Sequence, residues 1–333
     1  MQKKLIQRCL SGTVFFLFLA VPFGTQVWAG SAWYPKKEVE IVVPTAAGGE
    51  NDRVSRMIQK ILQDKNLVSR PVIVINKEGG NQILAAVYMT QHASDPHYLL
   101  YTTSTILTNQ IAGLTKVHYR DLTPISSFLV ENEALTVAAN SPFKNMKDLF
   151  DALKADPKSV SFGLVARGGS NHLALCQAVR SVGIDPKKLK VVVFKTNGES
   201  MTAVMGGHVQ VVASSVAAAL DKVQAGHLRM LGIGASKRRP GPLANVPTWA
   251  EFGIEATGVS NWRGICAPKG LTPDQIAFWE KAMETVFSSE EWRKDIDARN
   301  LNPLVLRGKE FANYLDKAYE ATKAVMADLG MAK

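Results

Sequence analysis

The sequence predicts an α/β protein of two domains, each with a mainly parallel sheet. Three observations carry that expectation. Short β-branched runs alternate with helix-period segments along most of the chain. A length of 333 residues suits about two domains of ~150 residues. Strand after strand also ends in small polar residues that open a helix. Hydrophobic residues make up 46% and charged residues 20%, which fits packed cores and excludes a disordered chain. A mean hydropathy of -0.01 excludes a multi-span membrane protein.

The elements follow in order. Val39, Ile41 and Val43 form a short strand that stops at Pro44. Val54, Met57, Ile58 and Leu62 recur at helical spacing. Pro71 to Ile75 reads as a strand buried on both faces. A helix over Ile83, Leu84, Val87 and Tyr88 precedes a strand from Tyr98 to Thr102. Leu135 to Val137 is a strand, Met146 to Leu153 a helix and Val160 to Leu164 a strand. A helix from Asn171 to Val182, a strand from Val191 to Phe194 and a helix around Met201 to Met205 come next. Val209 to Val212 and Leu228 to Ile233 are two more strands, with a helix between them. From Pro273 onward helical periodicity dominates.

Residues 1–29 stand apart. Lys3, Lys4 and Arg8 precede an apolar stretch from Thr13 to Phe23, shorter than the ~18–20 residues that span a bilayer. Val27-Trp28-Ala29 then supplies small residues where a signal peptidase reads. The expectation is a secretory signal peptide cleaved after Ala29, and an exported, soluble mature protein. Cys9 leaves with it. The chain carries 39 Lys and Arg against 29 Asp and Glu and loses only basic residues on cleavage, so the mature protein stays basic. Its densest basic run, Lys237-Arg238-Arg239, sits beside Pro240-Gly241-Pro242 with no interleaved aromatics and reads as solvated surface. Nucleic acid is not an expected partner.

The strand ends carry the chemistry. Five of them are polar: Thr45 to Asp52, Thr102 to Thr105, Ala166 to His172, Lys195 to Ser200, and Ser214-Ser215. In open α/β sheets ligands bind beyond the carboxyl ends of strands. Glycines let backbone approach a ligand, and helix N-termini favour anions. Ordinary helix capping by Ser, Thr, Asn and Asp is the competing account of each loop. Enzyme signatures are missing: no P-loop, no G-x-G-x-x-G after a strand, no G-x-S-x-G and no H-E-x-x-H. His172 is either a general base or a capping residue, and Asp52 either catalytic or a partner of the helix dipole. Cys176 and Cys266 either pair or remain separate buried thiols.

The order of these loops resembles a known family. Tyr34-Pro35, Ile41 to Pro44, Gly48-Gly49 and Asp52-Arg53 look like the mature start of a Bug-family periplasmic binding protein, the receptor of tripartite tricarboxylate transporters. Matching stretches continue through Val74 to Lys77, Asp121 to Ile125, Ser141 to Phe143, Gly168 to Leu173, Gln224 to Arg229 and Ala267 to Pro273. The resemblance implies a type II-like Venus-flytrap periplasmic binding protein with two crossovers. Domain 1 would comprise 34–132 plus 259–333, and domain 2 would be 133–258. It also implies a carboxylate held by backbone groups and ordered water at the first loop, with side chains closing in from the others.

The candidate ligand-binding residues are therefore Thr45, Ala46, Ala47, Gly48, Gly49, Glu50, Asn51, Asp52, Thr103, Ser104, Arg167, Gly168, Ser170, Asn171, His172, Thr196 and Ser215. Arg167 either grips a carboxylate or lies exposed at the mouth. No catalytic residue, metal or cofactor is expected. Two departures from the family pattern stand out. Thr45 replaces a common aromatic residue, which leaves Trp262 as a candidate wall. Glu50 brings an acid to an anion loop, where it repels a carboxylate unless it points away or pairs with Arg53, Arg167 or Arg263, or where it reads a ligand donor such as an amine or hydroxyl. The expected function is a monomeric periplasmic receptor for a small carboxylate, serving inner-membrane transporter subunits. A receptor of the same fold that signals to a sensor kinase is the alternative, and an exported enzyme ranks third.

Overall fold

The strands alternate between two apolar surfaces, and that alternation dictates layers of helix on both faces of each sheet. The computed structural model describes residues 33–235, 237–254 and 261–333. The expected signal peptide lies outside them.

The first sheet holds β1 (Val39–Val43), β2 (Val72–Asn76), β3 (Tyr98–Thr103), β4 (Leu122–Glu131), β10 (Asn261–Pro268) and β11 (Asn302–Pro303). Their order across the sheet is β11-β4-β10-β3-β1-β2. Val39, Ile41, Leu99 and Tyr101 face one core, with Val54 and Ile58 of α1 (Glu50–Asp64) and Trp279 and Met283 of α8 (Pro273–Phe287). Val42 and Leu100 face the other, with Met89 of α2 (Ile83–Thr90), Leu107 of α3 (Thr105–Ile111), and Phe311 and Leu315 of α10 (Gly308–Asp328). Each such side chain, removed from water, stabilises the fold by ~1.5–3 kcal/mol.

The second sheet runs β7-β6-β8-β5-β9. These strands are β5 (Glu133–Ala138), β6 (Ser161–Leu164), β7 (Lys190–Val193), β8 (Val211–Ser215) and β9 (Leu228–Ile233). Leu135 and Val137 pack with α4 (Met146–Ala155) and α5 (Ser170–Ser181) on one face. Ala134 and Val212 pack with α6 (Asn197–Met205) and α7 (Val216–Gln224) on the other.

Two expectations need correction. The sheets are mixed rather than mainly parallel: β1 pairs in parallel with β2 and β3, but β10 is antiparallel to both β3 and β4, and β5 is antiparallel to both β8 and β9. The reason is the path of the chain. Strands β4 and β5 carry it from one sheet to the other with only Asn132 between them, and β10 brings it back. Secondly, β2 is an edge strand in which only Val72 is fully buried, so its β-branched run is not covered on both faces. The basic run lies at the surface as expected, with Lys237 and Arg238 exposed. Arg238 clasps Glu251 at 2.6 and 2.9 Å, and Arg239 donates to Asn300 Oδ1 at 2.9 Å, beyond α9 (Glu290–Ala298).

Strands β4 and β10 had no assignment from sequence. Pro124 and the Ser126-Ser127 pair interrupt the apolar pattern of β4, yet both serines are fully buried. Ser126 Oγ donates to the Ser127 carbonyl, and Ser127 Oγ to the Leu304 carbonyl. On β10, Gly264 sits where a Cβ would lie 2.5 Å from Phe311 Cζ, so no larger residue fits without movement. Among the described residues no helix is long and apolar enough to cross a membrane.

Candidate functional site

Two glycine turns are built alike, one at the end of each central parallel strand. After β1, Gly48 takes a left-handed φ of +79° and Gly49 an extended φ of -80° as the N-cap of α1. After β6, Gly168 has φ +75° and Gly169 φ -72° as the N-cap of α5. Neither N-cap supplies a side-chain acceptor, so the first-turn amides of both helices are left without a capping side chain. The left-handed requirement falls on Gly48 and Gly168, not on Gly49.

Each turn is held from behind by the residue four positions on. The Gly48 amide donates to Asp52 Oδ2 at 3.0 Å, and the Gly168 amide donates to His172 Nδ1 at 3.0 Å. Burial pushes the Asp52 carboxyl up, but bonds from Arg56 and Gly48 outweigh it and hold the group below its ordinary value. Burial, assisted by the Arg167 charge, pushes His172 down to about 4. The imidazole is therefore neutral at pH 7. With Nδ1 accepting, its proton sits on Nε2, 3.6 Å from Cys176 Sγ. Both residues thus support turns. Cys176 and Cys266 are free and buried.

The two turns open onto one cleft of about 540 Å³. Of the candidate residues, Thr45, Ala46, Ala47, Gly48, Gly49, Glu50, Asn51, Thr103, Ser170, Asn171 and Thr196 line it. Asp52, Ser104, Arg167, Gly168, His172 and Ser215 do not. Asp52, Ser104, His172 and Ser215 are buried. Arg167 is exposed, and its guanidinium donates to the Val191 carbonyl at 3.2 Å. Trp262 is no cleft wall: it is 1% exposed and packs edge-on against Phe311 in the core.

Glu50 does not present a bare charge. Arg53 clasps it with bonds of 2.7 and 3.0 Å and also grips Asp295 at 2.8 and 2.9 Å, while Arg299 approaches Glu50 at 3.9 Å. Two acids and two arginines neutralise one another beside the anion loop. Burial works against the Arg53 charge, but Glu50 and Asp295 keep it above its ordinary value.

Sequence reasoning named Arg263 only among partners for Glu50 and missed the rest of the cleft floor. Asn261 and Arg263 alternate along β10, so both point the same way. Arg263 donates to Glu131 Oε2 at 2.5 Å and to Asn261 Oδ1, and Asn261 Nδ2 donates to Glu131 at 3.3 Å. Asn171 reaches from the second glycine turn to Glu133 Oε2, leaving Glu133 Oε1 buried without a partner. One guanidinium thus faces two buried carboxyls. Burial and the neighbouring Glu131 charge push Glu133 up to about 8, with Arg263 opposing. Gln82, Asp221, Lys222 and Arg299 also line the cleft without a sequence signal, because each comes from a helix or a helix end rather than a recognised strand-end loop. The N-x-R alternation at Asn261 and Arg263 was the one readable sign. No group of three or more acidic, His or Cys residues suited to a metal occurs among the described residues.

Comparison with known proteins identifies the family and the fold. The model of the tripartite tricarboxylate transporter family receptor matches residues 54–331. BugT of Bordetella pertussis is 27% identical, with 89% of this chain and 90% of that protein covered. A UPF0065 protein of Cupriavidus necator is also 27% identical, with 90% of both chains covered. Among solved structures, the periplasmic binding protein BugD superposes with a TM-score of 0.80 at 19% identity, covering 90% of this chain and 100% of that one. MatC of Rhodopseudomonas palustris with bound malate gives 0.76 at 22% identity, covering 88% and 99%. These likenesses show a shared two-sheet binding-protein fold. A family match over most of the chain, joined to that fold, makes this protein a member of the tripartite tricarboxylate transporter receptor family.

Proposed function

We propose that the protein is a periplasmic solute receptor that binds a small carboxylate in the cleft and presents it to an inner-membrane secondary transporter. The observation that carries this reading is the pair of uncapped, glycine-turned helix N-termini opening onto one cavity. Uncapped first-turn amides and two helix dipoles favour a carboxylate there without requiring a formal cation. Binding proteins that resemble this one in fold are described with malate and with adipate, which supports the ligand class. In this reading residues 34–132 with 259–333 form one lobe and 133–258 the other, the lobes close about Asn132, and residues 1–29 direct export.

The test is direct. Purified mature protein is screened against organic acids by thermal shift, and hits are measured by titration calorimetry. A carboxylate that raises Tm and is recovered unchanged supports the receptor reading. Turnover of the ligand, or binding of matched amides in preference to acids, overturns it.

A further inference from the structure

We infer that the ligand is a carboxylate hydroxylated along its carbon chain, a sugar acid rather than an aliphatic or aromatic acid. The inference rests on the receptor reading and deepens it.

The glycine turns account for one end of a ligand; the rest of the cleft must suit the remainder. Among the described residues no aromatic side chain and no Leu, Ile or Met lines the cavity, and Val165 is its largest aliphatic group. A hydrocarbon chain or ring would find little to pack against. Instead the walls offer side chains that both donate and accept. Asn51 lies in the first turn of α1, Thr105 opens α3 and Asn197 opens α6, so three separate elements converge with amide or hydroxyl groups. Among the described residues none of those three side chains makes a hydrogen bond, unlike Asn171 and Asn261, which are engaged with Glu133 and Glu131.

Charge is mixed in the same way. Lys195 and Asp221 both line the second-sheet side, and neither forms an ion pair among the described residues. A carboxylate oxygen only accepts, and a methylene does neither, so the inner carbons of an aliphatic diacid would leave the Asn51, Thr105 and Asn197 side chains to water alone. A carbon bearing a hydroxyl both donates and accepts. A row of such carbons satisfies walls of this kind at several points, whichever way each amide is turned. The cavity of about 540 Å³ lies within the range for small-molecule sites and accommodates a six-carbon chain.

The experiment uses chain-matched pairs. Galactarate and adipate are both six-carbon diacids and differ only in the hydroxyls of the four inner carbons. Gluconate and hexanoate form a second pair, and galactitol carries the hydroxyls without carboxylates. Titration calorimetry on the mature protein is expected to show the hydroxylated acid at least tenfold tighter in one or both pairs, with galactitol weaker than galactarate. Thr105→Val should weaken the hydroxylated acid at least tenfold and leave its deoxy partner unchanged, with circular dichroism confirming the fold. Equal or tighter binding of adipate and hexanoate overturns the inference while leaving a carboxylate receptor intact. Binding of galactitol with no response to any acid overturns the receptor reading itself. Failure of both hydroxylated acids to bind, when another organic acid does, also overturns the inference.

Discussion

Replacing Glu133 by glutamine should abolish a pH-dependent loss of stability that the wild-type protein carries. The carboxyl is buried at the sheet-to-sheet crossing, and its ordinary value of 4.5 is pushed up to about 8 by burial and by Glu131. The groups facing it are Glu131 on β4, Arg263 and Asn261 on β10, and Ser170 and Asn171 on α5. The folded state therefore binds a proton that the unfolded chain has released between pH 4.5 and about 8. Unfolding free energy falls with pH wherever the folded state holds more protons. Stability should decline across that window and level off above it. At ~1.4 kcal/mol for each tenfold change in proton affinity, the decline has a ceiling of ~5 kcal/mol. Shared titration with Glu131 and water entry reduce it, and ~2–4 kcal/mol is the expected size. The side chain introduced by Glu133→Gln is an uncharged stand-in for the protonated acid and keeps an acceptor for Asn171. Urea unfolding of both proteins at pH 5, 7 and 9 isolates the effect, because every other group titrates in both. The variant should match wild type at pH 5 and exceed it by ~2–4 kcal/mol at pH 9. Parallel stability curves would refute the reasoning.

Four further outcomes follow from the geometry. Gly48→Val forces a branched residue to φ +79° and should destabilise the fold by ~1–3 kcal/mol and weaken ligand at least tenfold; Gly49→Val, at φ -80° with Ala46 O at 3.4 Å, should keep its stability in urea and lose affinity alone by calorimetry. Asp52→Asn should lower stability by ~1–2 kcal/mol at neutral pH. Because the Asp52 carboxyl is held low, its contribution is present above the ordinary carboxylate range and lost as pH falls, so the variant's acid unfolding should be less steep than wild type's. Gly264→Ala drives a methyl into Phe311 and should cost ~2–3 kcal/mol; an unchanged Tm would contradict the packing. Saturating ligand should shrink the radius of gyration in small-angle scattering, and an unchanged radius would count against lobe closure.

Much of this was legible where chemistry is local. A glycine pair followed by polar residues at a strand end marks a tight turn into a helix, and both turns lie where their residues implied. The alternation of Val39 to Val43 was likewise enough to place β1. Side-chain direction was less legible. Asp52 and His172 belong to the glycine loops in sequence but turn back to hold Gly48 and Gly168, because the first helical turn rotates the fourth residue behind the loop. Arg167 sits inside a glycine turn yet points along the sheet edge. The cleft floor was hidden for a different reason. Glu131, Glu133 and Arg263 are ionisable residues in strands, where composition argues for loops; Glu131 is made tolerable by Arg263, 132 positions away, and Glu133 by holding its proton. Strand direction was equally non-local: nothing in β10 itself announces that it runs opposite to β3.

The crossing at Asn132 also bears on how the chain is made. Strands β4 and β10 are antiparallel neighbours, with Glu131 directly opposite Asn261. The whole of the second sheet, with its helices, therefore occupies the place of a hairpin loop in the first. During synthesis β4 must wait for 130 further residues before its partner emerges. The second sheet has no such wait, since all five of its strands lie between Glu133 and Ile233. The strands of the second sheet can pair on the ribosome while β4 still lacks β10, and that pairing shortens the flexible chain between residues 131 and 261. Loop-closure entropy, which grows with the length of flexible chain, is met by a structured insert instead of a coil. Damage to the core of the second sheet should thus delay closure of the first, although the two sheets have no strand in common.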